Sequence, residues 1–389
     1  MKVDVAIVGA GPVGGSLALA LGESGLKTAL LEQAEPAEPG ADWDSRIYTI
    51  SPSSRTFLGE IGVWQALDAA RVTPVRAMHV FGDDGDSKLD FSAYESGVAE
   101  LAATLEAGRL AHAVWRRLRE TRRVEVLCPA SPARIERGRD AVRIELESGE
   151  HLEARLCVGA DGANSRVRRE AGFAVSSRPY GERGVVANFE CERPHRGAAY
   201  QWFRDDGVLA WLPVGERMIS IVWSTPEDNA RRLLGLGPVE LCDAVAAAGA
   251  RALGALELVT ASASFPLGRL NTERLARERV ALLGDAAHVV HPLAGQGVNL
   301  GLADAEVLAR LLCNLSHGDP GDVSVLRRFE RQRAEDILAM RWMTDGLHWL
   351  FGVKHPAAAK IRNLGMSLTN SLVPIKTLLA RRAMGARPR

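Results

Sequence analysis

The feature that most constrains this chain is a glycine-rich turn, GAGPVG at residues 9–14, which directly follows an apolar segment near the N-terminus. Residues 3–8 are apolar and largely β-branched, which predicts a buried parallel strand. A helix is predicted over residues 12–21, since proline is favoured in the first helical turn. A second strand is predicted over residues 27–32. Strand, tight turn, helix and strand within about 30 residues form a βαβ unit with a right-handed crossover.

Each glycine of the turn has a mechanical reason. Gly9 allows a sharp exit from the strand, Gly11 lets the backbone approach a pyrophosphate, and Gly14 lets helix and strand pack closely. The helix N-terminus adds unpaired N–H groups and the positive end of a dipole. Glu32, at the end of the second strand, can accept hydrogen bonds from a ribose diol and disfavours a 2′-phosphate. The pattern predicts bound FAD or NAD rather than NADP, whereas the turn alone would also suit an ordinary glycine-rich loop.

Two later segments repeat the form of a buried strand that ends in a turn, residues 154–162 and 279–285. Asp285, at a strand end, is interpreted as a hydrogen-bond partner for a polyol such as the ribityl chain of a flavin, and the alternative is an ordinary strand-to-helix turn. The loop PLAGQGVN at residues 292–299 leads into a helix predicted over residues 297–312. A helix N-terminus there would face the pyrimidine edge of an isoalloxazine and stabilise negative charge on reduced flavin.

Composition excludes several other classes of protein. The 48 basic and 48 acidic side chains cancel, so net charge gives no reason to expect nucleic-acid binding. The five cysteines are odd in number and lack a C-x-x-C pair, which favours reduced thiols in a cytosolic protein. His288 and His291, two histidines three residues apart, are a weak pattern for a metal site, so none is predicted. No secretory signal and no membrane span are expected, because the chain has neither a basic leader nor an apolar run of about 18 residues.

Short strand-like segments within residues 73–102 and 180–265 predict the sheet of a second domain. We find no internal repeat and no low-complexity linker. The nucleotide-binding domain is therefore predicted to be built from separated stretches, with a mainly-β substrate domain inserted between them. The nucleotide-binding domain is predicted to comprise residues 1–72, 103–178 and 267–340. The substrate domain is predicted at residues 73–102 and 179–266, and a basic helical region at residues 341–389.

Three segments, in this order, resemble a known family. They are residues 9–14 with Glu32, GADGANSRVR at residues 159–168, and GDAAH at 284–288 followed by PLAGQG at 292–297. The chain resembles the group A flavoprotein aromatic hydroxylases, which share the p-hydroxybenzoate hydroxylase fold. Within them it is most similar to the ubiquinone-biosynthesis hydroxylases (the UbiH/UbiF/UbiI/VisC family), including that family's D-x-R-x-x-x-[LI]-S stretch, read here as DSRIYTIS. The resemblance covers essentially the whole chain.

The resemblance implies an α/β fold: a Rossmann-like FAD-binding domain with an inserted mainly-β substrate domain and a C-terminal helical region. It also implies the residues that contact FAD. These are Gly9, Gly11, Pro12, Val13, Gly14, Glu32 and Gln33 at the ADP moiety, Arg46 near the flavin or pyrophosphate, Asp161 and Gly162 on the pyrophosphate side, Gly284 and Asp285 at the ribityl chain, and Pro292, Gly295, Gln296, Gly297, Val298 and Asn299 at the isoalloxazine.

One motif departs from the family pattern Glu-Asn-Arg-x-Leu that opens a helix. Glu106 and Leu110 fit this pattern, but Ala107 and Gly108 replace its Asn and Arg. Arg109 is one position away, a rotation of about 100° on a helix. We therefore assign no flavin contact to Arg109.

The resemblance implies an FAD-dependent monooxygenase that hydroxylates the aromatic ring of a polyprenyl phenol in ubiquinone biosynthesis. Such enzymes use NAD(P)H to reduce FAD and O₂ to form a flavin C4a-hydroperoxide. The chemistry belongs to the cofactor, so no catalytic side chain is expected, and Pro292, Gly295 and Gln296 are expected only to lie beside the isoalloxazine. The protein must exclude water and hold the ring. Which ring carbon reacts is not set by any motif.

One alternative is another flavin-dependent aromatic hydroxylase of the same fold. Three further alternatives keep the fold but change the reaction or the role. A flavin halogenase would carry a W-x-W-x-I-P segment, which the nearest stretch, Trp211-Leu212-Pro213, does not match. A polyprenyl reductase would consume NAD(P)H without incorporating oxygen. A scaffold flavoprotein of a quinone-synthesis complex would be inactive. The intact cofactor motifs of this chain argue against a scaffold that has lost FAD.

The C-terminal end is strongly basic. Residues 340–389 carry nine basic side chains and one acidic one, with apolar residues at near-helical spacing. One hypothesis is a basic amphipathic end that contacts a partner in a biosynthetic complex or the inner face of the cell membrane, on an otherwise cytoplasmic protein. The alternative is a helix that packs on its own domain and exposes a basic face. Both stay open from sequence alone.

Overall fold

The computed structural model of the chain describes residues 1–84, 87–291, 297–315 and 318–352, with side chains of the last helix described up to Trp342 and at Gly346. The strands in chain order are β1 (Lys2–Val8), β2 (Thr28–Leu31), β3 (Ile47–Ile50), β4 (Thr73–Val75), β5 (Ala77–Phe81), β6 (Lys88–Ser92), β7 (Ala102–Glu106), β8 (Val124–Leu127), β9 (Pro132–Arg137), β10 (Val142–Leu146), β11 (His151–Gly159), β12 (Val175–Cys191), β13 (Ala198–Arg204), β14 (Gly207–Val214), β15 (Met218–Pro226), β16 (Leu256–Leu258), β17 (Ala263–Thr272), β18 (Ala276–Arg277), β19 (Val280–Leu282) and β20 (His288–Val289). The α-helices are α1 (Pro12–Leu21), α2 (Pro52–Glu60), α3 (Ala93–Ser96), α4 (Ala107–Glu120), α5 (Arg166–Glu170), α6 (Glu227–Leu234), α7 (Pro238–Ala248), α8 (Gly297–Cys313) and α9 (Val323–Gly352).

The first sheet has the strand order β18-β19-β11-β1-β2-β8, with β10 and β9 added beside β11. β1 lies at its centre and pairs in parallel with both β2 and β11. Val5 and Ile7 point to one face and pack on α1, α4 and α8, while Ala6 and Val8 point to the other and pack on the β9–β10 hairpin. Because both faces are covered, residues 5–8 of β1 form a continuous apolar run rather than an alternating one.

The second sheet has the order β20-β17-β12-β15-β14-β13-β5-β6, with β16 added beside β12. Its pairs are antiparallel except for β13 with β5. Successive side chains of a strand alternate between faces. In β14, Leu209 and Trp211 pack into a core with α6 and α7, while Ala210 and Leu212 line a cavity on the opposite face.

A small sheet, β3-β7-β4, lies between the two larger ones. The Thr104 hydroxyl of β7 donates to the carbonyl of Pro213 in β14. The Asn188 side-chain amide of β12 donates to the Asp44 carbonyl at 2.9 Å. These contacts hold the second sheet against the small sheet and the segment that precedes β3.

The predicted α/β fold class is confirmed, and so are the helix over residues 12–21 and the helix over 297–312. The predicted domain boundaries at 178/179 and 266/267 fall inside β12 and β17. Both strands belong to the second sheet, and their mutual pairing continues on both sides of these positions, with one irregularity between Pro179 and Arg183.

The C-terminal region is described only in part. Helix α9 starts well before the predicted boundary at 340/341 and continues across it to Gly352. Most of the segment that carries the membrane hypothesis, residues 353–389, lies outside the described residues. In the part that is described, no helix combines the length and the apolar character that crossing a bilayer requires.

Candidate active site

A cavity of about 1120 Å³ lies between the carboxyl ends of the parallel strands β1, β2, β11 and β19 and one face of the second sheet. Ligands of doubly wound sheets bind at this edge. Thirteen of the predicted cofactor residues line it: Gly9, Gly11, Pro12, Val13, Glu32, Gln33, Arg46, Asp161, Gly162, Gly284, Asp285, Gly297 and Val298. Gly14 and Asn299 lie behind its wall, and Pro292, Gly295 and Gln296 fall outside the described residues.

The glycine-rich turn has two packed glycines and one open one. Gly9 has a φ of +101°, and a Cβ there would lie 2.5 Å from the Ala160 carbonyl oxygen. A Cβ on Gly14 would lie 2.0 Å from the Gly9 carbonyl oxygen. Gly11 lines the cavity, and a Cβ there would meet no atom within 4 Å. The first two glycines therefore hold the turn together, while Gly11 leaves its cavity side clear for a ligand.

Glu32 closes the same turn. One carboxylate oxygen accepts from the Ala10 N–H at 2.5 Å, and the other accepts from the Gln33 N–H at 2.8 Å. A carboxylate has about four lone-pair sites, so these two bonds leave acceptor capacity facing the cavity. Glu32 can thus bind a diol without releasing the turn.

Asp161 occupies the equivalent position after β11. Its Oδ2 accepts from the backbone N–H groups of Arg166 at 2.6 Å and Val167 at 3.1 Å, at the start of α5. Its Oδ1 is buried and has no hydrogen-bond partner among the residues described. A buried acceptor in this condition is uncommon in folded proteins, and it lies on the wall of the cavity.

Asp285 and Arg46 both line the cavity, and their charges interact. The Asp285 carboxylate is accessible from the cavity, but the protein packed around it removes water and raises its pKa, against the lowering effect of His288 and Arg46. The Arg46 guanidinium lies 5.4 Å from the centre of the Tyr48 ring. Burial raises the pKa of Tyr48, so this phenol stays neutral at physiological pH. The region offers one acid and one cation to a polar ligand.

The other half of the cavity is apolar. It is formed by the second-sheet face, by the ends of β4 and β7, and by the start of β17. Its apolar lining residues are Val75, Met78, Phe91, Leu101, Val186, Ala199, Ala210, Leu212, Val222, Phe265, Pro266 and Leu267. The cavity thus joins a polar half, built from turns at strand ends, to an apolar half, built from the face of a sheet.

Residues 2–340 match the FAD binding domain family. The ubiquinone hydroxylase UbiL of Rhodospirillum rubrum is 36% identical over 387 residues, which span 98% of this chain and 89% of that protein. The 3-demethoxyubiquinol 3-hydroxylase of Escherichia coli is 34% identical over 386 residues, 98% of each chain. This chain belongs to the FAD-dependent ubiquinone-biosynthesis hydroxylases.

The hydroxylase is therefore an FAD-dependent aromatic-ring monooxygenase. Its fold is also that of p-nitrophenol 4-monooxygenase PnpA from Pseudomonas putida, whose crystal structure matches with a TM-score of 0.78 over 100% of both chains at 20% identity. At this level of identity the similarity supports the fold only.

A buried ionic network lies behind the cavity of this hydroxylase, and the sequence did not predict it. The Asp304 carboxylate in α8 accepts from the Gly284 N–H at 3.0 Å, from His288 Nε2 at 2.7 Å and from Arg333 Nε at 2.7 Å. Asp304 and Arg333 are both 0% exposed. Burial alone would raise the pKa of Asp304, but His288 and Arg333 outweigh it and hold the pKa below its usual value.

This network fixes the turn that carries Asp285, because Asp304 binds the backbone N–H of the preceding Gly284. Arg333 also donates to the Leu300 carbonyl at 3.2 Å, which ties α9 to α8. His288 is thus an anchor of the turn, and no group of His, Cys, Asp and Glu that could hold a metal occurs among the described residues. The only sequence signal was a charged residue at a buried position of the predicted helix.

The side chain of Asn299, a residue predicted to lie at the isoalloxazine, makes hydrogen bonds within the protein. Its side-chain amide donates to the Thr49 carbonyl at 2.7 Å and accepts from the Ser51 N–H at 2.9 Å. Both contacts lie on or next to β3. The side chain therefore holds the N-terminal end of α8 against the small sheet, because both ends of the amide are used by backbone groups.

Arg109, to which no flavin contact was assigned, lies outside the cavity lining. Its Nε donates to Glu106 at 2.7 Å, and its guanidinium also donates to the Gly40 carbonyl at 2.8 Å. Glu106, only 2% exposed, also pairs with Arg71 at 3.0 Å. These three side chains form a structural ion cluster next to the hydroxylase's cavity.

Proposed function

We propose that this hydroxylase uses FAD, NAD(P)H and O₂ to hydroxylate the aromatic ring of a polyprenyl phenol in ubiquinone biosynthesis. The observation that carries the proposal is a cavity that joins a polar half suited to a dinucleotide and an apolar half suited to a prenylated ring. The R. rubrum and E. coli relatives, whose names describe hydroxylases of ubiquinone and of demethoxyubiquinol, support the same substrate class.

The polar half fits FAD at several points. Gly11 and the N-terminus of α1 would face the pyrophosphate with clear space and a positive dipole end. Glu32 would accept hydrogen bonds from the ribose diol. Asp285 would accept from ribityl hydroxyls, which relieves the unfavourable burial that raises its pKa. Arg46 would interact with the flavin or the pyrophosphate.

Bound FAD would supply the oxygen-activating chemistry, and the protein would position the substrate and exclude water. The apolar sheet face gives water few hydrogen-bond partners, so a prenylated ring would displace water at little cost. The same face would hold the ring in one plane beside the cofactor, which raises its effective concentration there. No metal and no nucleophilic side chain is required for these roles.

A peripheral membrane contact and membership of a biosynthetic complex are further parts of this proposal, since a polyprenyl phenol is nearly insoluble. Leu338 and Trp342 support such contacts, because they lie one helical turn apart on α9 and are 51% and 72% exposed. In a liposome flotation assay with anionic lipid, the full chain should float, and the double variant Leu338→Glu, Trp342→Glu should float less. Equal flotation of the two would contradict a membrane contact through α9.

Oxygen labelling tests the proposed reaction. The purified hydroxylase is supplied with a short-chain prenylated phenol, NAD(P)H and ¹⁸O₂, and the product is analysed by mass spectrometry. We expect one labelled oxygen atom per product molecule. A reduced, unlabelled product would indicate a reductase, and NAD(P)H oxidation that never yields product with any prenylated phenol would favour a scaffold flavoprotein. Complementation of strains that lack individual ring hydroxylases would identify the ring carbon.

A further inference from the structure

We propose that Gln201 recognises an oxygen substituent of the substrate's aromatic ring, and so determines specificity for a phenol over a hydrocarbon of the same shape. The inference rests on the proposed function and adds to it a residue that no motif marks. Gln201 lies on β13, lines the cavity and is only 5% exposed.

The register of the sheet places Gln201 in a row of cavity-lining side chains. Gln201 pairs with Ala210, Ala210 pairs with Val222, and Val222 pairs with Val186. All four residues line the cavity, and the other three are apolar. The amide is therefore the one polar side chain in this row.

The amide also has unused hydrogen-bonding capacity. A glutamine side chain has two N–H donors and an acceptor oxygen. The structure gives Gln201 no side-chain hydrogen bond among the described residues. The amide atoms are not among the buried side-chain atoms without a partner, because they are open to the cavity. Once a ligand displaces water there, an unpaired amide would be unfavourable, so the position favours a ligand that supplies a partner.

Asn188 provides a contrast on the same sheet. Its Nδ2 donates to the Asp44 carbonyl, and it does not line the cavity. That amide is used to join two parts of the fold. Gln201 makes no such join, which favours a role toward a bound molecule.

The neighbours of Gln201 suit an aromatic ring with an apolar tail. Ala199 and Ala210 are small and leave space on either side of the amide. Met78 and Phe91 pair with each other and continue the apolar lining from Ala199 outward. A ring oxygen could thus reach the amide while a prenyl chain lies along apolar side chains.

A binding measurement tests this without turnover. The FAD-loaded hydroxylase is titrated with 2-geranylphenol and with geranylbenzene, and binding is followed by the change in the flavin absorption spectrum. We expect the wild type to bind the phenol about fivefold more tightly, the effect of roughly one hydrogen bond. Gln201→Leu, of similar size, should bind the two compounds equally, whereas Gln65→Leu, at an exposed position outside the cavity, should behave as the wild type.

Gln201→Glu provides a second variant if the leucine variant fails to load FAD, because the carboxylate still accepts from a phenol hydroxyl and should keep a preference for the phenol. Equal wild-type affinities for the two compounds, or an undiminished preference in Gln201→Leu, would overturn the inference. A wild type that prefers the phenol through Gln201 but yields no labelled product would contradict the proposed function and support the inference. A wild type that binds neither compound would contradict both.

Discussion

The two halves of the cavity are built in opposite ways. In the polar half, backbone turns at the ends of β1, β2, β11 and β19 form the wall, and a few atoms such as the Gly9 carbonyl or the Glu32 carboxylate fix the geometry. In the apolar half, side chains from one face of an antiparallel sheet form the wall, and no single contact dominates. The polar half therefore tolerates few changes, whereas the apolar half can vary with the substrate while the fold persists.

The largest expected effect lies behind the polar half. Asp304→Asn removes the buried counter-ion of Arg333 and leaves it only the half-exposed Asp336, so the apo protein should lose roughly 3–5 kcal/mol of its free energy of unfolding. Urea denaturation measures this loss. Asp336→Asn is the matched control, since it removes the half-exposed partner of the same arginine and should cost less than about 1 kcal/mol. Equal losses in the two variants would contradict the importance of the buried pair.

The same pair predicts a pH dependence. The folded-state pKa of Asp304 is lowered, so its stabilising contribution is present above the unfolded-state pKa of about 4 and is lost as the pH falls through the folded-state value. The difference in unfolding free energy between the wild type and Asp304→Asn should be constant from pH 6 to about pH 5 and shrink below about pH 4. A difference that grows on acidification would show that the sign is wrong.

In the glycine-rich turn, Gly14 is expected to matter for packing and Gly11 for cofactor binding. Gly14→Ala places a Cβ against the Gly9 carbonyl, so the apo protein should lose about 1–3 kcal/mol of stability. Gly11→Ala meets no protein atom, so its apo melting temperature should stay close to that of the wild type while FAD affinity falls about tenfold or more. Calorimetry and FAD titration distinguish these results, with Gly40→Ala in an open loop as the control. An unchanged FAD affinity in Gly11→Ala would place the pyrophosphate elsewhere.

Asp285→Asn should weaken cofactor binding without destabilising the apo protein. The raised pKa of Asp285 means that its charge is unfavourable in the empty cavity, so the apo variant should melt slightly above the wild type. FAD affinity should fall about tenfold, because hydrogen bonds to a carboxylate are stronger than those to an amide. Fluorescence titration of the apo protein with FAD measures this change. An apo protein that is destabilised would indicate a structural role instead.

The smallest effect is expected in the apolar half. Val222→Thr keeps the shape of the side chain but adds a hydroxyl that a prenylated ring would leave without a partner, so KM should rise about two- to fivefold. FAD affinity should stay unchanged. Steady-state kinetics with parallel FAD titration measures both quantities. A change in FAD affinity as large as the change in KM would show that the two halves are not independent.

The polar half could be predicted from sequence, because the residues that shape its turns lie close together in the chain. A tight turn needs Gly9, a close helix needs Gly14, and an acid after β2 follows at a fixed spacing, so a single stretch of sequence shows the arrangement. Asp304 and Arg333 could not be paired from sequence, because they lie 29 residues apart on two helices whose packing brings them together. Asn299 shows the same limit, since its partners precede it by about 250 residues.

The apolar half was predictable only as a sheet. Which face of β13 lines the cavity depends on strand register, and a shift by one residue would turn Gln201 toward the core and Trp202 toward the cavity. The positions of the predicted domain boundaries have a similar origin, because β12 and β17 are continuous strands of the second sheet that extend across them. Register and strand continuity are set by long-range pairing rather than by local sequence.

The most direct test of the two-part cavity is a crystal structure of the hydroxylase with FAD and 2-geranylphenol. We predict electron density for the pyrophosphate beside Gly11, the ribityl chain beside Asp285, and the phenol ring against the sheet face that carries Ala210 and Val222. Density for FAD in the apolar half, or for the phenol ring outside the cavity, would contradict the account.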